Sequence, residues 1–465
     1  MKISLLEPKS PGLHVFSKAR MPRLGLPLIA TLLEELGHNV RVFVEEIKEP
    51  DFGDLLNSDL VGFSSTTSTI PRAYRIADRL KRKRPDLPIV FGGPHVTFLP
   101  EEALEHGDFC ILGEGEESFL DLIRAIEKGE SPEEISGLAF KDNGHIRINK
   151  RRKPVDLDSL PFPKLDLIEG YKKLKISPLT QKVFPLETSR GCPFGCRFCS
   201  VIRMFGRNYR FRNLENLISR LQNIPPKQPV FFYDDNFAAD PDRAKKLLKK
   251  MIEKEIKLEW SAQVRANISE DTELLDLMEE TGASMVHIGF ESINPKTLEE
   301  YKKNLTPDEI EQTIREFHKR GIRIHGMFIV GGDEDDPQTA SRIVDFALDQ
   351  KLDTIQLLML TPIPGTPLFE DLKENNRLLS AGWEYYDGHH VVHNPAQMTP
   401  YELQSSVIKE MARFYSFRQL MRLGARWDLV NSYFRFYGWK TIKKWIADRK
   451  NQAYLTFLKE TYSKV

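Results

Sequence analysis

Three of the four cysteines in this 465-residue chain lie within eight residues, at Cys192, Cys196 and Cys199, in a C-x3-C-x2-C spacing. Clustered thiols in a chain with so few cysteines indicate metal binding rather than a disulfide framework. A zinc site of this kind would need a fourth Cys or His ligand close by, and none lies within the loop. Three thiolates suit a [4Fe–4S] cluster with one iron left open, where the amine and carboxylate of an amino acid could chelate.

The fourth cysteine, Cys110, lies far from this loop in the apolar stretch Phe109–Leu112. Buried free cysteines behave as small hydrophobic residues. We therefore predict that Cys110 belongs to the hydrophobic core and is not a metal ligand.

The first 150 residues alternate between short apolar strands and helical patterns of about ten residues, which is typical of parallel pairing in a doubly wound sheet. The predicted strands are Lys2–Glu7, Val40–Val44, Leu60–Ser64, Ile89–Gly92 and Phe109–Leu112, and the predicted helices are Leu26–Leu36, Tyr74–Lys83 and Ser118–Lys128.

A second alternation follows a basic, proline-punctuated stretch, residues 151–183, which we interpret as a linker. Six strand–helix units in residues 184–370 favour a partial barrel over a second flat sheet. Residues 371–465 contain no convincing strand and are predicted to be helical. The predicted strands of the barrel are Phe184–Thr188, Val230–Tyr233, Glu259–Val264, Met285–Gly289, Ile324–Val330 and Thr354–Leu360.

The sequence C-P-F-G-C-R-F-C at residues 192–199 resembles the signature loop of radical S-adenosylmethionine (SAM) enzymes, with Phe198 in the aromatic position. This resemblance implies that the open iron binds SAM and cleaves it reductively to a 5′-deoxyadenosyl radical. For Asp234 and Glu291, an ordinary role as a helix N-cap or a solvated loop carboxylate stays open. The resemblance implies SAM contacts at Phe198, Tyr233, Asp234, Asp235, Arg265, Glu291, Ser292 and Gly331.

Residues 1–150 resemble the cobalamin-binding domain of one radical SAM subgroup, through small residues at the ends of predicted strands, where open sheets bind ligands. Because the domain has no D-x-H-x-x-G segment, none of its histidines is expected to ligate cobalt. His95 is expected in a loop, either near the corrin edge or in a turn without ligand contact. The cobalamin contacts implied are Leu26, Pro27, Ser65, Thr66, Thr67, Gly92, Gly93, His95, Gly113, Glu114, Gly115 and Glu116.

Two other interpretations of this domain are compatible with an α/β pattern. A doubly wound sheet can be a scaffold without a ligand, since a fold does not determine a function. The tRNA methylthiotransferases also carry an α/β domain before a radical SAM barrel, but they hold a second cluster there on three cysteines and end in a β-rich module. Because this domain offers only Cys110 and the chain ends in predicted helices, we reject the methylthiotransferase interpretation.

Basic and aromatic residues are concentrated near the C-terminus. Residues 411–465 contain twelve Lys or Arg, three Asp or Glu and thirteen aromatics, although the whole chain is balanced at 67 basic and 67 acidic residues. Three interpretations stay open: helices capping the barrel, contact with an anionic membrane surface, and nucleic-acid binding, which is the least favoured. The N-terminus lacks a secretory signal and no apolar run approaches a membrane span, so the protein is expected in the cytoplasm, with or without peripheral membrane contact.

The segment Asp387–His393, with Met398-Thr399-Pro400, resembles the region after the barrel in radical SAM enzymes that act on lipids and tetrapyrroles. These include hopanoid methylases and the anaerobic cyclase that makes the fifth ring of bacteriochlorophyll. The resemblance implies a cobalamin-dependent enzyme that methylates an unactivated carbon of a small hydrophobic substrate, using one SAM as methyl donor and a second as radical source. It also implies an external electron donor of the flavodoxin or ferredoxin type. A cyclase, oxidation or rearrangement enzyme, and a cluster- or cobalamin-based sensor that binds nucleic acid, stay open.

Overall fold

The computed structural model describes residues 1–12, 21–174, 182–225, 227–425 and 427–462. The chain forms two compact units, one of Met1–Pro11, Arg20–Lys182 and Ser200–Phe211, the other of Gly12–Ala19, Val183–Cys199 and Arg212–Val465. Residues 13–20 and 175–181, which belong to the predicted N-terminal domain and linker, lie outside the described residues. The domain limits at residues 150, 183 and 370 remain predictions.

The first unit contains a seven-stranded sheet whose first five strands follow the predicted ones closely. Its strands are β1 Lys2–Glu7, β2 Asn39–Val44, β3 Leu60–Ser64, β4 Ile89–Gly92, β5 Phe109–Ile111, β6 Leu138–Asp142 and β7 His145–Ile148. Their order is β2–β1–β3–β4–β5–β6–β7, and the pairs among β1 to β5 are parallel. The order reverses direction between β1 and β3, which is where doubly wound sheets bind ligands.

The helices of this unit connect the parallel strands, as the alternating pattern predicts. The helix Ile70–Lys83 begins four residues before the predicted Tyr74. The helix Glu116–Lys128 begins directly after Gly115. Its first turn carries two glutamates, whose negative charge is favourable at the positive end of the helix dipole. The helices are α1 Gly25–Glu35, α2 Phe52–Leu56, α3 Ile70–Lys83, α4 Pro94–Phe98, α5 Pro100–Leu104 and α6 Glu116–Lys128, and a short helix lies at Val201–Phe205.

The antiparallel hairpin of β6 and β7 was missed by the sequence analysis. Asn143 and Gly144 join the two strands with φ angles of +48° and +83°. An Asn-Gly pair between two apolar segments is a strong signal for a two-residue hairpin turn. The Asn-Gly pair therefore indicates this hairpin, whereas the alternation of strands and helices does not.

Residues 151–174, predicted as part of a linker, belong to the first unit and bury apolar side chains there. Val155, Leu157 and Leu160 pack with Leu28 of α1, and Ile168 forms a parallel bridge with Val42. Three short 3-10 turns, at Leu157–Ser159, Leu165–Leu167 and Tyr171–Lys173, shape this stretch.

The second unit contains six parallel strands that are paired in the order of the chain. They are β8 Phe184–Leu186, β9 Val230–Phe232, β10 Trp260–Val264, β11 Ala283–Glu291, β12 Arg323–Val330 and β13 Thr354–Met359. Strands β8 and β13 form the two edges, so the sheet does not close on itself. On β11, fully buried Val286, Ile288 and Phe290 alternate with half-buried Met285 and His287, because successive side chains point to opposite faces.

The helices of the second unit lie between the strands and continue to the C-terminus. Thr306 and Thr399 each cap a helix through a reciprocal pair of bonds with a glutamate three residues later, which satisfies two free backbone donors. The helices are α7 Leu214–Gln222, α8 Pro241–Glu253, α9 Thr272–Glu280, α10 Pro295–Glu300, α11 Pro307–Lys319, α12 Thr339–Asp349, α13 Pro367–Glu374, α14 Pro400–Phe414, α15 Phe417–Gly424, α16 Leu429–Ala447 and α17 Arg449–Thr461. The predicted fold class, a doubly wound sheet, a partial barrel and a helical C-terminal region, is confirmed.

Arg435 in the basic, aromatic C-terminal segment does not lie on a surface. Its guanidinium is buried over the Phe414 ring, 3.3 Å from the centroid, and donates to the carbonyl oxygens of Phe414 (2.7 Å) and Leu352 (3.2 Å). Burial lowers the pKa of Arg435 to about 10. This side chain fastens α16 to α14 and cannot contribute to an external basic face.

Among the described residues, no helix has both the length and the apolar character needed to cross a bilayer.

Candidate functional site

The three clustered cysteines lie on a loop that follows β8 and the short extended pair Ser189–Arg190. Cys196 is buried and Cys192 and Cys199 are half-buried, and the N–H of Cys199 donates to the carbonyl oxygen of Cys196 at 3.2 Å. No three described His, Cys, Asp or Glu side chains converge closely enough to hold a single metal ion. A [4Fe–4S] cluster binds each thiolate through a different iron, so it does not require such convergence. Three soft thiolates on one short loop fit the donor set of that cluster.

Two carboxylates at the end of β9, the buried Asp234 and the half-buried Asp235, fix the start of this loop. Asp234 accepts hydrogen bonds from the Thr188 N–H (2.7 Å), the Thr188 hydroxyl (2.6 Å) and the Ser189 N–H (2.9 Å). Asp235 accepts from the N–H of Gly191 at 3.1 Å. Burial raises the pKa of both Asp234 and Asp235 to about 6. Asp234 is therefore a support of the cysteine loop, and neither open alternative, the N-cap or the solvated carboxylate, describes it.

Arg265 follows β10 and reaches the cysteine loop. Its Nη1 lies 3.6 Å from Cys196 Sγ, and its guanidinium carbon lies 3.9 Å from the centroid of the Phe194 ring. The other nitrogen, Nη2, donates to the carbonyl oxygen of Lys303 at 2.8 Å. Arg265 thus joins the cysteine loop to the segment that follows Glu300.

Glu291 ends β11 in a strained conformation. Its φ is +67°, in a region that non-glycine residues rarely adopt and that tends to occur at functional sites. The carboxylate is buried and pairs with Lys303 Nζ at 2.8 Å. A Cβ at Gly289 would lie 2.2 Å from Glu291 Oε1, so a larger residue there would displace the carboxylate from its present position. Ser292, the next residue, is fully buried.

The glycine turn after β12 is held from two sides. Gly331 has φ of +115°, and a Cβ there would lie 2.7 Å from Leu403 Cδ2. Asp335 Oδ2 accepts the N–H groups of Gly331 (2.9 Å) and Gly332 (3.0 Å), and His393 Nε2 donates to the Gly331 carbonyl at 2.9 Å. The sequence identified Gly331 and the segment that ends at His393, but it did not indicate that Asp335 and His393 hold this turn.

The aromatic position of the loop is packed rather than open. The Phe198 ring meets the buried Tyr301 ring edge-on, with centroids 5.4 Å apart. Arg197 donates from Nη2 to Asp371 Oδ2 at 2.8 Å. The end of the cysteine loop is thus fastened to the helices that follow β11 and β13. Tyr233 also stands at a strand end, where its N–H donates to the Leu186 carbonyl at 2.9 Å.

In the first unit, hydroxyl groups collect beyond the carboxyl end of β3, beside the reversal of strand order. Ser65 Oγ and Thr67 Oγ1 are buried and, among the described residues, have no hydrogen-bond partner. Gly93 follows β4 with φ of +99°, and a Cβ there would lie 2.6 Å from the Ser65 carbonyl oxygen. Unsatisfied buried hydroxyls are costly, so they fit a site that a polar ligand completes.

His95 and Glu114 differ from what the sequence suggested. His95 lies in helix α4 and not in a loop, and it is fully buried with Nε2 3.3 Å from Glu102 Oε1. Glu114 forms an ion pair with Arg210 and accepts the Val155 N–H at 3.0 Å. Both side chains are held by neighbours in their own unit. The remaining predicted positions lie in α1 (Leu26, Pro27), beyond β3 (Thr66), at the last residue of β4 (Gly92) and around the start of α6 (Gly113, Gly115, Glu116).

The sequence matches family models at both of these sites. The radical SAM superfamily model covers residues 186–347, and the B12 binding domain model covers residues 15–123. An uncharacterized methyltransferase of Pyrococcus horikoshii is 31% identical over 408 residues, which span 85% of this chain and 88% of that protein. The chain belongs to the cobalamin-binding radical SAM family.

Other relatives agree with this membership. The bacteriochlorophyllide d C-12(1)-methyltransferase of Chlorobaculum tepidum is 29% identical to this radical SAM protein over 427 residues, which span 90% of this chain and 88% of the relative. The cobalamin-dependent SAM radical enzyme OxsB, solved with aqua-cobalamin and SAM bound, superposes with a TM-score of 0.71 at 18% identity, over 99% of this chain and 75% of that one. At that identity the superposition shows the fold alone.

The subgroup suggested by the sequence is also confirmed. A hopanoid C-2 methylase of Rhodopseudomonas palustris is 26% identical over 78% of this chain and 66% of its own length. An anaerobic magnesium-protoporphyrin IX monomethyl ester cyclase of Cereibacter sphaeroides is 28% identical over 77% of this radical SAM chain and 60% of its own length. The predicted cofactors, a [4Fe–4S] cluster, SAM and cobalamin, are those of the matched domains, while the individual contact residues stay predictions.

Proposed function

We propose that this chain is a cobalamin-dependent radical SAM enzyme that methylates an unactivated carbon of a small hydrophobic substrate. The observation that carries the proposal is the cysteine loop, whose start is held by Asp234 and Asp235 and whose Cys196 lies beside Arg265. A chain that also contains a B12-binding domain has the parts that a methylation of this kind needs. The relatives that methylate hydrophobic ring systems support the substrate class.

When bound, the cluster and SAM supply a 5′-deoxyadenosyl radical that removes hydrogen from the substrate, and cobalamin supplies the methyl group. Cys192, Cys196 and Cys199 would hold the cluster. Glu291, fixed in its strained conformation, would accept a hydrogen bond from the ribose of SAM. The protein's task is to orient these groups and exclude water.

Cobalamin uptake tests the first unit. We expect about one cobalamin per chain, bound with no protein nitrogen on cobalt, because His95 is buried in a helix and paired with Glu102. Replacing Ser65 by alanine together with Thr67 by valine should weaken cobalamin binding, since these hydroxyls otherwise lack partners. Absorption and EPR spectra of the reconstituted protein report the cobalt ligand. His95→Gln should leave those spectra unchanged, and a nitrogen signal lost in His95→Gln would contradict the assignment.

Methyl transfer is tested with SAM labelled in its methyl group. Anaerobic protein with a strong reductant and host cell extract should move the label into a hydrophobic product, detected by mass spectrometry. Because SAM has two roles, we expect roughly two SAM consumed per methyl transferred, with release of S-adenosylhomocysteine and 5′-deoxyadenosine. Deoxyadenosine without a methylated product would favour the cyclase or rearrangement alternative, for which the cyclase relative provides a precedent. Absence of deoxyadenosine would favour a sensor.

Two partners follow from this chemistry. Reductive cleavage of SAM needs an electron, so we propose an external donor of the flavodoxin or ferredoxin type. We also propose that helices α15 and α16 contact an anionic membrane surface. Phe417, Trp427 and Leu429 are 55, 84 and 69% exposed, and lysines lie nearby on α16. Aromatic and basic residues together favour the interface of an anionic bilayer.

Vesicle sedimentation tests this contact. Each basic residue near an anionic surface contributes about 1 kcal/mol, so neutralising Lys440, Lys443 and Lys444 together should weaken binding to anionic vesicles about 100-fold at low salt. Neutralising the exposed Lys128, Lys172 and Lys296 is the matched control and should have little effect. If the wild-type chain does not sediment with anionic vesicles, or if both triple variants bind equally, α15 and α16 are capping helices without a membrane role.

A further inference from the structure

Lys303 is a buried lysine that the sequence analysis did not single out. It is 5% exposed, and it lies between Lys302 and Asn304, whose φ angles are +55° and +47°. Lys302 follows the C-cap of α10 in the left-handed conformation that commonly ends a helix, and Asn304 is a residue type that tolerates the same region. This backbone turns the ammonium group of Lys303 inward, whereas the side chain of Lys302 is exposed.

The ammonium of Lys303 holds one oxygen of Glu291. The distance from Nζ to Glu291 Oε1 is 2.8 Å. Among the described residues, the second oxygen, Oε2, accepts no hydrogen bond. A carboxylate that is fixed through one oxygen presents the other in a defined direction, as a hydroxyl-bearing ligand requires. Gly289 provides the space in which the carboxylate folds back.

The backbone of the same lysine holds Arg265. The carbonyl oxygen of Lys303 accepts from Arg265 Nη2 at 2.8 Å, while Arg265 Nη1 lies 3.6 Å from Cys196 Sγ. Lys303 thus connects two groups that follow different strands, Arg265 after β10, which reaches the cysteine loop, and Glu291 at the end of β11. One residue sets the position of both.

From this arrangement we infer that Lys303 is a positioning residue for SAM, which orients Glu291 toward the ribose hydroxyls and Arg265 beside Cys196. The inference rests on the proposed function only in that SAM binds at the cluster, and it holds whether or not a methyl group is transferred. Without the ammonium, the Glu291 carboxylate would be left buried without its counter-charge, which favours its displacement.

The test measures SAM affinity of the full chain with its cluster reconstituted, from the change in the EPR spectrum of the reduced cluster on SAM titration. Lys303→Met should retain the cluster signal without SAM and raise the dissociation constant for SAM at least tenfold. Lys303→Arg should stay within about threefold of wild type, because it retains the charge. Lys302→Met, at the exposed neighbouring position, is the matched control and should bind SAM normally.

A second variant, Glu291→Gln, tests the inference even if the Lys303→Met protein does not fold. It should weaken SAM binding, and adding Lys303→Met to it should cost little more, because the lysine acts through Glu291. The inference is overturned if Lys303→Met binds SAM as wild type does, if Lys303→Arg is as weak as Lys303→Met, or if the two effects simply add. A protein that binds SAM with this pattern but transfers no methyl group would refute the proposed methylation and leave the role of Lys303 intact.

Discussion

Replacing Cys192, Cys196 or Cys199 by alanine is expected to abolish the [4Fe–4S] cluster and all 5′-deoxyadenosine formation. Each cysteine would supply one of only three thiolates, and the loop offers no other thiol. Iron and sulfide analysis of anaerobically reconstituted protein measures the cluster, and mass spectrometry measures deoxyadenosine. We expect background values for every single variant.

Cys110→Ala is the matched control for the cysteine variants. Cys110 is fully buried in β5, with Sγ 3.7 Å from the Pro100 carbonyl oxygen, and burial raises the pKa of its thiol well above the ordinary value. It therefore remains a protonated core residue, and its replacement should leave the cluster in place. A folded Cys110→Ala protein without a cluster would show that the ligand assignment is wrong.

Asp234→Ala is expected to destabilise the fold and to lose the cluster. The substitution leaves the Thr188 hydroxyl and the N–H groups of Thr188 and Ser189 without their acceptor. An unpaired buried donor costs about 1–3 kcal/mol, so we expect the free energy of unfolding to fall by at least about 3 kcal/mol. Denaturant unfolding measures the free energy, and iron content measures the cluster.

Asp242→Ala is the control for Asp234→Ala. Asp242 lies in the first turn of α8 with its side chain 85% exposed. Exposed substitutions usually change stability by no more than about 0.5 kcal/mol. Equal stabilities of the two variants would mean that the three hydrogen bonds of Asp234 do not hold the loop.

Asp234 also predicts a pH dependence of the cluster-free protein. Burial raises its pKa from 3.8 to about 6, so between about pH 4 and pH 6 the folded state keeps a proton that the unfolded state has released. The free energy of unfolding should therefore fall as pH rises through this window. Asp235 contributes in the same direction, and Asp234→Asn should remove only the contribution of Asp234. If the free energy of unfolding falls with pH as steeply in Asp234→Asn as in the wild type, this prediction is wrong.

The sequence by itself determined the class of the protein and most of its elements. The spacing of Cys192, Cys196 and Cys199 is a local feature, because three thiolates on one loop need no distant partner to indicate a cluster. Strand and helix periodicity are equally local, and so β1 to β5 and β8 to β13 were predicted to within a few residues. The same holds for Cys110, whose apolar neighbours in the sequence already indicated burial.

Only the tertiary structure decided what the charged side chains do. Asp234 meets Thr188 across 46 residues, Arg265 meets Cys196 across 69, and Arg435 meets Leu352 across 83. Periodicity does not reveal such pairs, because a carboxylate or guanidinium at a strand end is compatible with solvent, a ligand or a buried partner. The roles of Lys303 and His95 depended on the same information. A charged side chain can be buried only when another element supplies an opposite charge or hydrogen bonds. The fold alone determines which element that is.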